Sequence, residues 1–306
     1  MSSISFYSPE AIFSELFYSS FCAIDRNDTN QVVCLGLNSD GDLISGFGNI
    51  AGTTINWNSN TFVVCPSSSK PSSYVQVSLN NNGLMAAVFV IGSEAYCAIG
   101  QLTDEQMVWQ TPVKYASQVM TPVVGLTDDG LLLSVYNYIS NSGLLLYRTG
   151  YVSGTQGKWN SSYELSSTEG MDVNSLAYGN DGSIVIMYQQ SKELSYIKAY
   201  VNEDDHTKLV VDHAESWEKE SSGSVSSANS LILGAYVDDE QSIYCCVGDY
   251  SIQKDGFAKI DWGDFEQMTS NTQGILGTSM GSNGLFFVAY RFVGANVVMC
   301  GRYESA

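Results

Sequence analysis

One phrase recurs about every 50 residues and limits what this chain can fold into. In its clearest copy, Thr121 to Leu165, it reads TPVVGLTDDGLLLSVYNYISNSGLLLYRTGYVSGTQGKWNSSYEL. Val123 to Leu126 is a short apolar run, and Thr127-Asp128-Asp129-Gly130 turns it into Leu131 to Tyr138. Ser140-Asn141-Ser142-Gly143 turns the chain again into Leu144 to Val152, and Ser153-Gly154 leads to a last strand carrying Trp159. The turn residues supply positive φ or local side-chain hydrogen bonds, and the runs between them have strand length and composition. The phrase is an antiparallel four-stranded meander. A sheet this small cannot bury both its faces alone, so copies must stack on one another, as blades do around an axis.

Two marks set the register. The large residue five places into each second strand gives Leu37, Phe89, Tyr136, Tyr188, Tyr236 and Tyr290, which predicts six blades. Independently, Gly48, Gly100 and Gly150 end their third strands, and Trp57, Trp109 and Trp159 follow nine residues later, while Trp262 follows Gly248 after a longer insert. Ile55, Met107 and Ile260 each stand two places before their tryptophan, on the same strand face. The fourth repeat diverges: Ala199 replaces the glycine, and Lys208 and Leu209 fall where tryptophan is due.

The sixth repeat stops one strand short, and Ile4-Ser5-Phe6 matches the Ile-x-Trp position of a fourth strand. Residues near Ser3 to Phe13 are therefore expected to complete the last blade and to close the ring, which removes free sheet edges. The fold expected is all-β: a six-bladed β-propeller of four-stranded antiparallel blades, one domain over residues 1–306. Its blades span about 19–70, 73–119, 122–168, 172–222, 224–271, and 274–306 joined by 1–18.

Composition narrows the partners. With 13 basic against 32 acidic residues, net charge −19, the chain has no electrostatic footprint for nucleic acid or anionic lipid. No apolar stretch approaches the roughly 20 residues that span a bilayer, and the first residues lack the basic and apolar regions of a secretory signal. The seven cysteines lack CxxC spacing and sit inside strand runs, as reduced, buried, small hydrophobes suited to the cytosol. A cytoplasmic location is expected, with secretion open only by a non-classical route.

The chemistry-bearing motifs point away from catalysis. His206 and His213 lie seven apart beside a charged loop with no HExxH or CxxC partner, and no GxSxG stands in the chain. The four arginines and the missing Ser-x-Asp-x-Gly-x-x-Trp boxes do not fit a sialidase, and the acidic turns lack the Asp-x-Asp-x-Asp-Gly spacing of a calcium loop. No cofactor and no metal are expected. What remains is binding by repetition: aromatic faces stack on the C–H face of a pyranose, and Asn, Asp and backbone groups bond its hydroxyls.

The repeat, written Leu-Leu-Leu-Tyr-Arg-Thr-Gly, Lys-Trp and Val-Gly-Leu-Thr-Asp-Asp-Gly, resembles those of non-catalytic β-propellers of fungi and bacteria over essentially the whole chain. It is most similar to the six-bladed propeller lectins of mushrooms. That resemblance implies a multivalent, non-enzymatic lectin whose partners are glycans or glycoproteins held in pockets between blades. The fucose-binding and tectonin repeat patterns do not match, so their residues are not carried over. The positions that would line such pockets are Trp57, Trp109, Tyr136, Asn137, Arg148, Trp159, Tyr188, Tyr236, Trp262, Tyr290 and Arg291. An aromatic repeated at one position is more commonly packing between blades. A propeller scaffold for a protein partner is the alternative, and a glycoside hydrolase stands behind it.

Overall fold

In the computed structural model, six antiparallel sheets surround an axis. The structure describes residues 3–12, 22–69, 71–103, 106–139, 143–166, 168, 170–179, 181–202, 204–220, 222–228, 230–253 and 257–304. Blade 3 shows the common plan: an inner strand Val119–Leu126, a second strand Leu131–Tyr138, a third strand Leu144–Ser153, and an outer strand in two pieces, Gln156–Trp159 and Tyr163–Ser166. Both outer pieces pair with the third strand. The inner strands of blades 1 to 6 are Cys22–Arg26, Pro71–Leu79, Val119–Leu126, Met171–Tyr178, Gly223–Ala228 and Thr272–Met280. Each touches the inner strand of the next blade, and the last returns to the first.

The ring closes as the repeat predicts. Ser3–Phe6 and Glu10–Ala11 pair with the third strand of blade 6, Ala295–Glu304, in the register Ile4 to Tyr303 and Phe6 to Gly301. Phe6 thus takes the place of the tryptophan opposite a glycine. Phe13 lies outside the described residues.

The glycine–tryptophan spacing is a cross-strand pair. Gly48 faces Trp57, Gly100 faces Trp109, Gly150 faces Trp159 and Gly248 faces Trp262. A Cβ on Gly100 would sit 2.7 Å from Trp109 Cε3, so the indole lies where a side chain would be. The glycines do not end their strands as expected: the third strand of blade 3 runs on from Gly150 to Ser153, because the outer strand must still be paired. Leu37 also falls one place beyond its expected position, which Gly36 occupies opposite Ile44.

Blade 4 departs through its outer strand, which runs unbroken from Leu209 to Glu220. Val211 faces Ala199, and the Leu209 amide donates to the Tyr147 hydroxyl of blade 3 at 3.0 Å. The fifth tryptophan, Trp217, packs on Trp262 of blade 5 with ring centroids 4.8 Å apart. The core is thus a series of apolar layers between neighbouring blades, not one central mass.

Candidate functional site

Two cavities follow from this architecture. The first is the axial channel, about 460 Å³, lined by inner strands of all six blades. Its polar groups join one blade to the next. Asp25 Oδ2 accepts from the Leu79 amide at 2.8 Å, Ser78 Oγ from the Leu126 amide at 3.2 Å, and Ser279 Oγ from the Arg26 amide at 2.9 Å. A second belt runs through the turns at the channel mouth. The Ser282 amide donates to Asp28, the Asp28 amide to Asn81, and the Asn81 amide to Asp128, each at 2.8 Å. The acidic turns therefore act as couplings between hairpins.

Asp25 still reaches the channel with part of its surface but is walled in by protein, and burial pushes its carboxyl up to about 6 against the opposing hydrogen bonds. The neighbouring Arg26 guanidinium is buried, donates to the Asn27 and Leu285 carbonyls, and lies 5.9 Å from the Phe287 ring centroid. Among the described residues, no three His, Cys, Asp or Glu side chains converge as a metal site. His206 is exposed in the turn before the blade 4 outer strand, and the His213 side chain lies outside the described residues.

The second cavity, about 390 Å³, opens between blades 2 and 3. Blade 2 contributes Lys114, Tyr115, Ala116 and Ser117 from the second piece of its outer strand, Val113–Ser117. Blade 3 contributes Tyr136 and Tyr138 from its second strand, Leu146 and Arg148 from its third, and Ser162 from the break in its outer strand. Strand alternation puts Tyr136, Tyr138 and Arg148 on the face turned to blade 2. Tyr115 stacks on Trp159 at 4.6 Å between centroids and shares a hydrogen bond with Ser134 Oγ at 2.8 Å. Arg148 Nε donates to the Tyr136 hydroxyl at 3.3 Å. Among the described residues, its other guanidinium nitrogens meet no protein acceptor and no carboxylate pairs with it. Lys114 is paired with Glu94 at the rim.

Of the expected site residues, this groove gathers Tyr136 and Arg148, with Trp159 behind them. The others are distributed around the ring. Trp57 packs in the layer between blades 6 and 1, and Trp109 Nε1 donates to Ser45 Oγ of blade 1 at 2.7 Å. Asn137 is fully buried and links blade 3 to the Met171 carbonyl and the Val173 amide of blade 4. Tyr188 and Tyr290 are in the core, Tyr236 stacks on Tyr244 at 5.3 Å, and Trp262 Nε1 donates to the Tyr196 hydroxyl at 3.3 Å. Arg291 is half-buried, and among the described residues its Nε has no hydrogen-bond acceptor.

Sequence reasoning missed Lys114, Tyr115, Tyr138 and Ser162. The register supplies the signal that would have found the groove. The positions equivalent to Arg148 hold Gly46, Ala98, Ile197, Cys246 and Met299, and those equivalent to Tyr115 hold Val64, Leu165 and Met268. A charged fork and a phenol thus replace small or apolar residues at one gap.

The fold defines the chain as a six-bladed β-propeller, and known structures share it. AofleA from Arthrobotrys oligospora superposes with a TM-score of 0.66 at 12% identity, covering 99% of this chain and 86% of that one. The fucose-specific lectin from Aleuria aurantia gives 0.64 at 12% identity, covering 95% and 96%. The PQQ-bound aldose sugar dehydrogenase of Streptomyces coelicolor gives 0.62 at 8% identity, covering 99% of both chains. No family model matches the sequence. No curated protein matches it either.

Proposed function

We propose that the protein is a carbohydrate-binding propeller without a catalytic step, and that its site is the groove between blades 2 and 3. The observation that carries this reading is Arg148, whose guanidinium is held through Nε by Tyr136 while, among the described residues, its remaining nitrogens have no protein partner beside a cavity. Tyr138, half-buried on the same face, offers a ring to a pyranose, and Ser117 and Ser162 offer hydroxyls. The channel is the poorer candidate, since its Asp25, Asp28 and Asp128 carboxylates are already engaged between blades. The fold of the Aleuria aurantia fucose-specific lectin supports the class of function, and the dehydrogenase with the same fold is why the site, not the fold, carries the argument.

Burial pushes the Cys97 and Cys300 thiols up to about 12, which suits packing and not nucleophilic attack. The expectation of several equivalent pockets narrows in this reading to one groove. A protein-docking face is the second reading, favoured by the exposed Tyr74, Met120, Ile139 and Val293. A dense array of immobilised neutral and acidic glycans, probed with wild type and R148A, tests the choice. Retention of a defined glycan set by wild type and its loss in a folded R148A are expected; an array inert to wild type sinks the carbohydrate reading.

A further inference from the structure

On the carbohydrate reading of the blade 2–blade 3 groove, we infer that the sugar it takes carries a carboxylate, as a hexuronic or sialic acid does. The chain holds 32 acidic and 13 basic residues, so a cation has carboxylates in plenty to pair with. Lys198 pairs with Asp212 and Glu215, Lys208 with Asp205, Lys259 with Asp261 and Lys114 with Glu94. Arg148 has no such partner among the described residues, and neither do Arg26, Arg291 and Arg302; but whereas the buried Arg26 guanidinium donates to two backbone carbonyls, Arg148 is partly withdrawn from solvent with its Nη groups beside a cavity. A partly desolvated charge left unpaired costs stability, and no other blade places a charge at this position. Propeller packing therefore does not require it.

The geometry indicates what would complete it. The Tyr136 hydroxyl occupies the Nε edge of the guanidinium, which fixes the plane and leaves the two Nη groups as a fork. A fork of two parallel donors matches a carboxylate, with charge to offset charge, better than it matches a neutral hydroxymethyl group. Lys114 adds a second donor at the rim, though Glu94 already meets it. The ring of a uronic acid would lie against Tyr138, and Ser117 and Ser162 stand where its hydroxyls would be. The cavity, about 390 Å³, lies within the roughly 300–1,000 Å³ range of small-molecule sites.

The test is titration calorimetry with pairs of ligands that differ only at the acid. Methyl glucuronide is compared with methyl glucoside, and a methyl sialoside with its methyl ester, against wild type, R148Q and R148K. Wild type should bind at least one acid about tenfold or more tightly than its neutral counterpart, as charge-assisted bonds imply. R148Q should lose that preference while keeping its melting temperature within a few degrees, and R148K, which keeps the charge without the fork, should keep part of it. Equal affinity for acid and neutral partners overturns the carboxylate assignment, as does a preference that survives in R148Q. If neutral sugars alone bind and R148Q abolishes them, the carbohydrate reading stands and this inference falls. If no ligand binds here and the array is inert, both fall together.

Discussion

Gly100 and Trp109 show how closely a residue type can be bound to its neighbour across a sheet. The indole occupies the space of an absent Cβ and donates to Ser45 of the adjacent blade, so one pair fixes both the strand register and the contact between blades. G100A would drive a methyl to 2.7 Å from the ring and should cost about 1–3 kcal/mol in denaturant unfolding. W109A should cost about 3 kcal/mol, and the double variant less than the sum, because the methyl then has room. At the channel, Asp25 makes stability depend on pH. Its carboxyl titrates near 6 when folded against 3.8 in the unfolded chain, so the folded state binds the extra proton between those values. The contribution of this group to stability should therefore be greatest below about pH 4 and be lost as pH rises through about 6, by about 3 kcal/mol. Denaturation curves of wild type and D25N across that window check it: D25N should lack this component of the slope, and parallel profiles would contradict the assignment.

At the level of strands, the terminal segment and the outer strands carry the consequences. Ser3–Phe6 covers what would be a free edge on Ala295–Glu304, with Phe6 set edge-on to Phe286 at 6.2 Å. F6A should lower stability by about 2 kcal/mol, and removal of residues 1–11 should lower the melting temperature and give aggregates in light scattering. A truncated protein that stays monodisperse with an unchanged melting point would count against closure by this strand. These elements were readable in the sequence because each rests on local signals: turn glycines, apolar runs and a fixed glycine–tryptophan spacing. The division of the outer strand was not readable, since its second piece, such as Phe62–Cys65, has too few residues to show a period and is held only by pairing with the third strand. Trp217 was equally opaque. It lies in the longer strand of blade 4, and its ring reaches the space over Gly234 of blade 5, a contact with no counterpart in the other repeats. The groove was half visible, because aligning repeats brings forward what recurs, whereas Arg148 and Tyr115 matter for departing from their equivalents.

Over the whole molecule, repetition builds the frame and departure from repetition marks the candidate site. The six gaps share apolar layers, and they differ in what reaches the surface between them. A lectin that used the repeat itself would hold several ligands per chain, whereas the groove between blades 2 and 3 predicts one. Titration calorimetry of wild type and R148A, with a monovalent form of the best glycan from the array, tests this claim most directly. The account predicts saturation at one equivalent per chain and loss of the heat in a folded R148A. Several equivalents, or a titration unchanged by the substitution, would contradict it.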